Sequence, residues 1–174
     1  MEISCSLNLM CQGRNSMRIG FASDIHRLVE GRKLILAGVV VPFELGELAH
    51  SDGDVVYHAL AESILGALAL GDLGTHFPDS DDKYKDIDSS ILVKEIVSLM
   101  KKEGYIIGNI DISITLEKPK LKNYISEMRN NIAKLLETDV KNVSVKAGTN
   151  EKLDEIGKGL AVKAESIVLL KEKE

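Results

Sequence analysis

Polar and apolar residues alternate from Asn109 to Lys118, with Ile110, Ile112, Ile114 and Leu116 on one side and Asp111, Ser113 and Thr115 on the other. That two-residue period marks a half-buried strand, because successive side chains of an extended chain point to opposite faces. Val143 to Ala147 repeats the pattern, and Leu160 to Leu170 reads as a closing strand. Near the start, Arg18 to Asp24 is a further strand that exits through Ile25 and His26. In it Asp24 and His26 share a face, and Ile25 is expected to turn to the core. Glu30-Gly31-Arg32 makes a turn, and Lys33 to Val41 reads as a short strand or hairpin closed by Pro42.

Helical spacing takes over elsewhere. Val55, Ala59, Leu60, Ile64, Leu65 and Leu68 predict a helix from about Asp54 to Leu70, stopped at Gly71, where a left-handed conformation costs glycine little. Asp88 caps a second helix over Ser89 to Glu103, with Ile91, Leu92, Ile96, Leu99 and Met100 as its buried stripe and Gly104 at its end. Pro119-Lys120 breaks the strand before it, and Asn123 is placed to cap a third helix through about Leu136. Asp72 to Asp86 and Thr149 to Gly159 read as loops. Three helices over one face of a mixed sheet describe a single α+β domain.

Composition changes this picture little. A chain of 174 residues that is 44% hydrophobic and 28% charged suits one globular domain with a substantial core. A net charge of −5 without a basic cluster argues against nucleic acid as a partner. The apolar run from Ile64 to Leu70 is too short to span a membrane. Cys5 and Cys11 both lie in the first 16 residues, a stretch of little periodicity that is expected to be a disordered extension outside the domain at 17–174.

The candidate chemistry gathers at two places. Ala49-His50-Ser51-Asp52-Gly53-Asp54-Val55-Val56-Tyr57-His58 places His58 at the start of the first helix behind a flexible turn. Asp24-Ile25-His26 offers two more donors on one face of a strand. Asp, His and His form a borderline-to-hard donor set that suits Zn²⁺, and three protein ligands leave a fourth position open, as at catalytic zinc. Alone, Asp-x-His more often pairs a turn-capping carboxylate with a surface histidine. Asp54, one turn before His58, either orients that histidine or favours the positive end of the helix.

The ordered set decides between these readings. Asp24-Ile25-His26, His50-Ser51-Asp52-Gly53-Asp54, His58, Gly71-Asp72-Leu73-Gly74, Phe77-Pro78-Asp79, Pro119-Lys120 and Thr149-Asn150-Glu151-Lys152-Leu153 follow one another along the chain. From Met17 to about Leu170 the chain closely resembles the 2-C-methyl-D-erythritol 2,4-cyclodiphosphate synthases, zinc enzymes of the non-mevalonate isoprenoid pathway. The resemblance implies a ferredoxin-like variant of the α+β class, assembled as a homotrimer with shared active sites. It implies Zn²⁺ on Asp24, His26 and His58, and Mg²⁺ or Mn²⁺ on Glu151. His50 and Thr149 match transition-state stabilisers, with Ser51 beside the former. Asp72 and Gly74 match the ribose positions, and Phe77, Pro78, Asp79, Ser80 and Asp81 the loop around the methylerythritol phosphate. Leu116, Pro119, Lys120 and Lys122 match the cytosine pocket, and Gly148 and Asn150 flank Thr149. The implied compartment is the cytoplasm of a bacterial-type cell, or a plastid if the N-terminal extension is a targeting remnant.

Two segments depart from the family. Asp154-Glu155-Ile156 replaces a loop that often carries glycine and an aromatic, and Lys158 stands near positions where many members place arginine and glutamate beside the trimer axis. Lysine lacks the bidentate fork of arginine, which argues against an isoprenoid diphosphate in a central channel. Two other classes are compatible with a three-ligand metal site: a zinc phosphohydrolase and a non-catalytic metal- or nucleotide-binding module.

Overall fold

The computed structural model describes residues 16–78, 82–84 and 86–173. The expected disorder of the first residues and the two cysteines, Cys5 and Cys11, lie outside them. Strand β1 (Met17–Glu30) is 14 residues long, well beyond the expected end at Asp24. It continues because it pairs twice: with β7 (Ala161–Glu172) from Met17 to Arg27, and with β4 (Leu45–Leu48) from Arg27 to Glu30. Strands β5 (Tyr105–Thr115) and β6 (Val143–Gly148) complete a five-stranded sheet in the order β4-β1-β7-β5-β6. Only the β5–β6 pair is parallel, so the sheet is mixed. The hairpin read at Lys33 to Val41 is β2 (Leu34–Leu36) against β3 (Val39–Val41).

Helices α1 (Val55–Leu68), α3 (Ser89–Lys102) and α4 (Ile125–Leu135) cover one face, as the sequence implied. Short helices α2 (Leu73–His76) and α5 (Asp154–Gly157) interrupt the stretches read as loops. Ile110, Ile112, Ile114 and Val168 point into the core under the helices. The opposite face is open, and Ile19, Phe21, Ile25 and Ile167 are about half exposed or more there. Ile25 therefore turns away from the core, contrary to expectation. Ile91 is likewise exposed on α3, whose buried stripe is Leu92, Val93, Ile96, Val97 and Met100. Helix α1 ends at Ala69, in a left-handed conformation two residues before Gly71, whose φ is positive as expected. Tyr124, without a side-chain cap, stands at the start of α4 where Asn123 was expected.

Candidate metal centre and active site

Small residues on β1 let the first helix come close. Gly20 and Ala22 lie on the helix-covered side of the strand, and a Cβ on Gly20 would sit 1.8 Å from the Ser63 carbonyl oxygen of α1. Two and four residues beyond Ala22, the same face carries Asp24 and His26. His58, the fourth residue of α1, meets them there. The helix start is fixed by Asp54, fully buried, whose carboxylate accepts from Val56 and Tyr57 of the first turn and from Ala37 and Gly38 of the hairpin. Of the two roles open for Asp54, the cap is the one observed; its carboxylate is taken up by backbone N–H groups of Val56, Tyr57, Ala37 and Gly38.

Three donor atoms converge. Asp24 Oδ2 lies 3.1 Å from His26 Nε2 and 3.3 Å from His58 Nδ1, and the two nitrogens are 3.3 Å apart. A tetrahedral ion with bonds of about 2.0 Å requires its ligands about 3.3 Å from one another, so this triangle has the dimensions of a zinc-type site. The far nitrogens are held as ligands need them. His26 Nδ1 faces two acceptors, Glu47 Oε2 and the Gly53 carbonyl, each at 2.8 Å, so it carries the proton and turns Nε2 inward. His58 Nε2 lies 3.1 Å from Ser51 Oγ and 3.0 Å from Ser89 Oγ. Ser89 donates its own proton to Asp52 Oδ1 at 2.5 Å, which leaves it as an acceptor for His58 and frees Nδ1.

Charge follows the same logic. Burial disfavours ionised Asp24, but the imidazoles of His26 and His58 beside it prevail and hold its carboxyl well below the usual range. Burial likewise opposes charge on His26, yet Asp24 and Glu47 beside it push the imidazole up to about 10. Between two carboxylates the position calls for a positive charge, which a metal ion supplies in place of the proton. Ser51, His58 and Asp24 also line up like a nucleophile–base–acid relay. That reading fails on two counts: Ser51 is buried with its oxygen accepting from Gly53 N, and His26 converges on the same Asp24 oxygen, which a relay does not need.

The triangle opens onto a cleft of about 330 Å³ that His50, Ser51, Gly74 and Phe77 also line. His50 Nε2 is buried without a hydrogen-bond partner among the described residues. Phe77 is held edge-on against Tyr84 at 5.4 Å. Asp72 does not line the cleft; it caps α2, accepting from Thr75 N and Oγ1. Pro78 is exposed, and Asp79, Ser80 and Asp81 lie outside the described residues.

The remaining expected residues gather elsewhere. Leu116, Pro119, Lys120, Gly148 and Thr149 line a separate hollow of about 60 Å³. Thr149 donates to Glu151 Oε1 at 2.6 Å, and Asn150 N donates to Glu117. Lys122 is exposed, and Lys158 pairs with Glu155 at 2.6 Å on α5. One row of paired residues, Ile25–Lys163–Thr115–Gly148, links the two places across the sheet. Three strand spacings separate its ends, roughly 14 Å. A single chain does not bring both groups into one cavity.

The comparisons with known proteins fit this geometry. A model of the YgbB family matches residues 17–171. The chain belongs to the YgbB family. Its relatives include the 2-C-methyl-D-erythritol 2,4-cyclodiphosphate synthase of Brachyspira hyodysenteriae, 57% identical over 89% of this chain and 98% of the relative. The enzyme of the same name from Fusobacterium nucleatum is 53% identical over 90% and 98%. Among solved structures, the bifunctional IspDF of Campylobacter jejuni matches with a TM-score of 0.89 and 40% identity, over 92% of this chain and 44% of that one. IspF of Plasmodium falciparum, in a CDP complex, matches with a TM-score of 0.81 and 37% identity over 93% and 100%. The YgbB chain described here is therefore one of a family of synthases, with the α+β fold expected.

Three residues in or behind the site escaped the sequence reading. Glu62 lies one turn after His58 on α1 and lines the cleft; the i, i+4 spacing could have flagged it. Ser89 caps no helix, and its contact with His58 has no local signal. Glu47 shares the inward face of β4 with Leu45, so alternation marks it as an acid aimed at the core.

Proposed function

We propose that this chain converts 4-diphosphocytidyl-2-C-methyl-D-erythritol 2-phosphate into 2-C-methyl-D-erythritol 2,4-cyclodiphosphate and CMP. The observation that carries the reading is the triangle of Asp24, His26 and His58, sized for a tetrahedral cation and open on one side to a cleft. In the reaction an oxygen of the substrate's own 2-phosphate bonds to the β-phosphorus. The bond from that phosphorus to the bridging oxygen breaks, and CMP leaves with the electron pair. The nucleophile comes with the ligand, so the protein needs none, and its work is positioning and charge compensation.

When bound, Zn²⁺ on Asp24, His26 and His58 and Mg²⁺ or Mn²⁺ on Glu151 supply positive charge against the repulsion between substrate phosphates. His50 lines the cleft, where its imidazole donates to a phosphate oxygen in this reading. Ser51 and Ser89 keep His58 in the tautomer that the site needs. Phe77 walls off the methylerythritol end, Gly74 stands at the ribose, and Thr149 stabilises the transferring phosphate. Leu116, Pro119 and Lys120 hold the cytosine through backbone edges.

A site that needs both groups is assembled between chains in this reading. The open sheet face supports a homotrimer: Met17, Ile19, Phe21, Ile25 and Ile167 form an apolar surface, and a closed ring of three buries it. The bacterial origin of the curated relatives cited supports a cytoplasmic enzyme.

Phosphorus NMR after incubation with the diphosphocytidyl substrate tests the reaction. Cyclisation yields CMP and a cyclic diphosphate in equal amounts without inorganic phosphate. Release of inorganic phosphate identifies a hydrolase, and unchanged substrate identifies a binding module; either result overturns the proposal.

A further inference from the structure

Among the described residues two carboxylates are fully buried, Asp54 and Glu47, and only the first is consumed by the fold. Both Asp54 oxygens accept backbone N–H groups. Glu47 offers Oε2 to His26 Nδ1 at 2.8 Å and to Val55 N at 3.1 Å, while its Oε1 finds no partner among the described residues. An ionised carboxylate is costly to bury unless it faces compensating charge. The compensating charge within its reach is what the triangle of Asp24, His26 and His58 holds, one imidazole away.

We propose that Glu47 is a positioning residue of the metal centre, raising the affinity of the triangle for a divalent cation through the His26 ring. The proposal rests on the reading of Asp24, His26 and His58 as metal ligands. Gly53 O, also 2.8 Å from Nδ1, would be enough to orient the ring. What Glu47 adds is negative charge directly behind the donor, which makes Nε2 a stronger base toward a cation, and a second acceptor that removes the remaining freedom of the imidazole. Alternation along β4 fixes the geometry: Glu47 pairs with Leu28 of β1 and points beneath His26, while Leu48 turns outward.

The test compares the full-length wild type with Glu47→Gln and Glu47→Leu. Glutamine keeps an acceptor for His26 and Val55 and removes the charge; leucine removes both. Zinc affinity is read by competition with a chromophoric chelator, and the visible spectrum of the Co²⁺-substituted protein reports ligand geometry. The expected result is a loss of about 10- to 100-fold in zinc affinity for Glu47→Gln, with the tetrahedral Co²⁺ spectrum retained. Glu47→Leu is expected to lose at least as much. Should leucine prevent folding, the glutamine variant alone decides. Zinc affinity of Glu47→Gln within twofold of the wild type, in a protein of wild-type circular dichroism, overturns the role given to Glu47. A wild type that binds no zinc overturns the metal-centre reading itself, so the two failures are distinguishable.

Discussion

Replacing Asp54 by alanine probes the joint between the fold and the site. Its carboxylate accepts four backbone N–H groups at 2.6–3.1 Å, two in the first turn of α1 and two in the β2–β3 turn. Each buried donor left without a partner costs about 1–3 kcal/mol, and an N-cap replaced by alanine costs about 1 kcal/mol by itself. Water entering the vacated space offsets part of the sum, which puts the expected loss at about 3–5 kcal/mol. For a chain of this length that lowers Tm by roughly 10 °C. The measurement is chemical and thermal unfolding of metal-free protein at one fixed concentration, since the proposed trimer would make Tm concentration-dependent. Burial, aided by Glu47, pushes the Asp54 carboxyl up to about 7, so the comparison is made well above that pH, where the carboxyl is ionised. Asp54→Asn, which retains one acceptor oxygen, falls between the two. Asp54→Ala within about 1 kcal/mol of the wild type would refute the reasoning, because four buried donors cannot all be released at so little cost.

The remaining predictions concern the close approach of α1 and the metals. Gly20→Ala drives a Cβ into the Ser63 carbonyl of α1; the expected outcome is a destabilisation of about 3 kcal/mol or more or failure to fold, and a soluble variant with unchanged Tm would show that the helix gives way freely. His58→Ala and Asp24→Asn are expected to lose bound zinc and turnover while keeping the wild-type circular dichroism; full zinc occupancy by elemental analysis in both would sink the ligand assignment. Glu151→Gln is expected to keep zinc and to need more Mg²⁺ or Mn²⁺ for half-maximal rate, and a wild-type titration curve would remove Glu151 from the second site.

Much of the fold was legible because its core strands obey one period. Ile110, Ile112, Ile114 and Leu116 alternate with polar residues and all four are buried. The donor triad was legible as well, through residue types and order. Strand β1 misled because apolar residues lie on the wrong face for a lone chain: Ile19, Phe21 and Ile25 are exposed, while the helix side carries Gly20, Ala22, Asp24 and His26. A hydrophobic pattern read for one core cannot tell a covered face from one that another surface will cover. Tyr124 in place of Asn123 and Ala69 in place of Gly71 are one- and two-residue boundary errors of the kind that propensity leaves open. Ser89 reaches His58 across 31 positions, and nothing near it in sequence announces the contact.

The central claim is that one cyclisation site is built from the triad of one chain and the Thr149 hollow of another. His58→Ala and Thr149→Ala proteins, each inactive alone, are mixed, dissociated and reassociated, and the mixed trimers are confirmed by native mass spectrometry. In an even random mixture about a quarter of the interfaces pair an intact triad with an intact Thr149, so the account predicts recovery of CMP release to roughly that fraction of the wild-type rate. Confirmed mixed assemblies with no activity would contradict it.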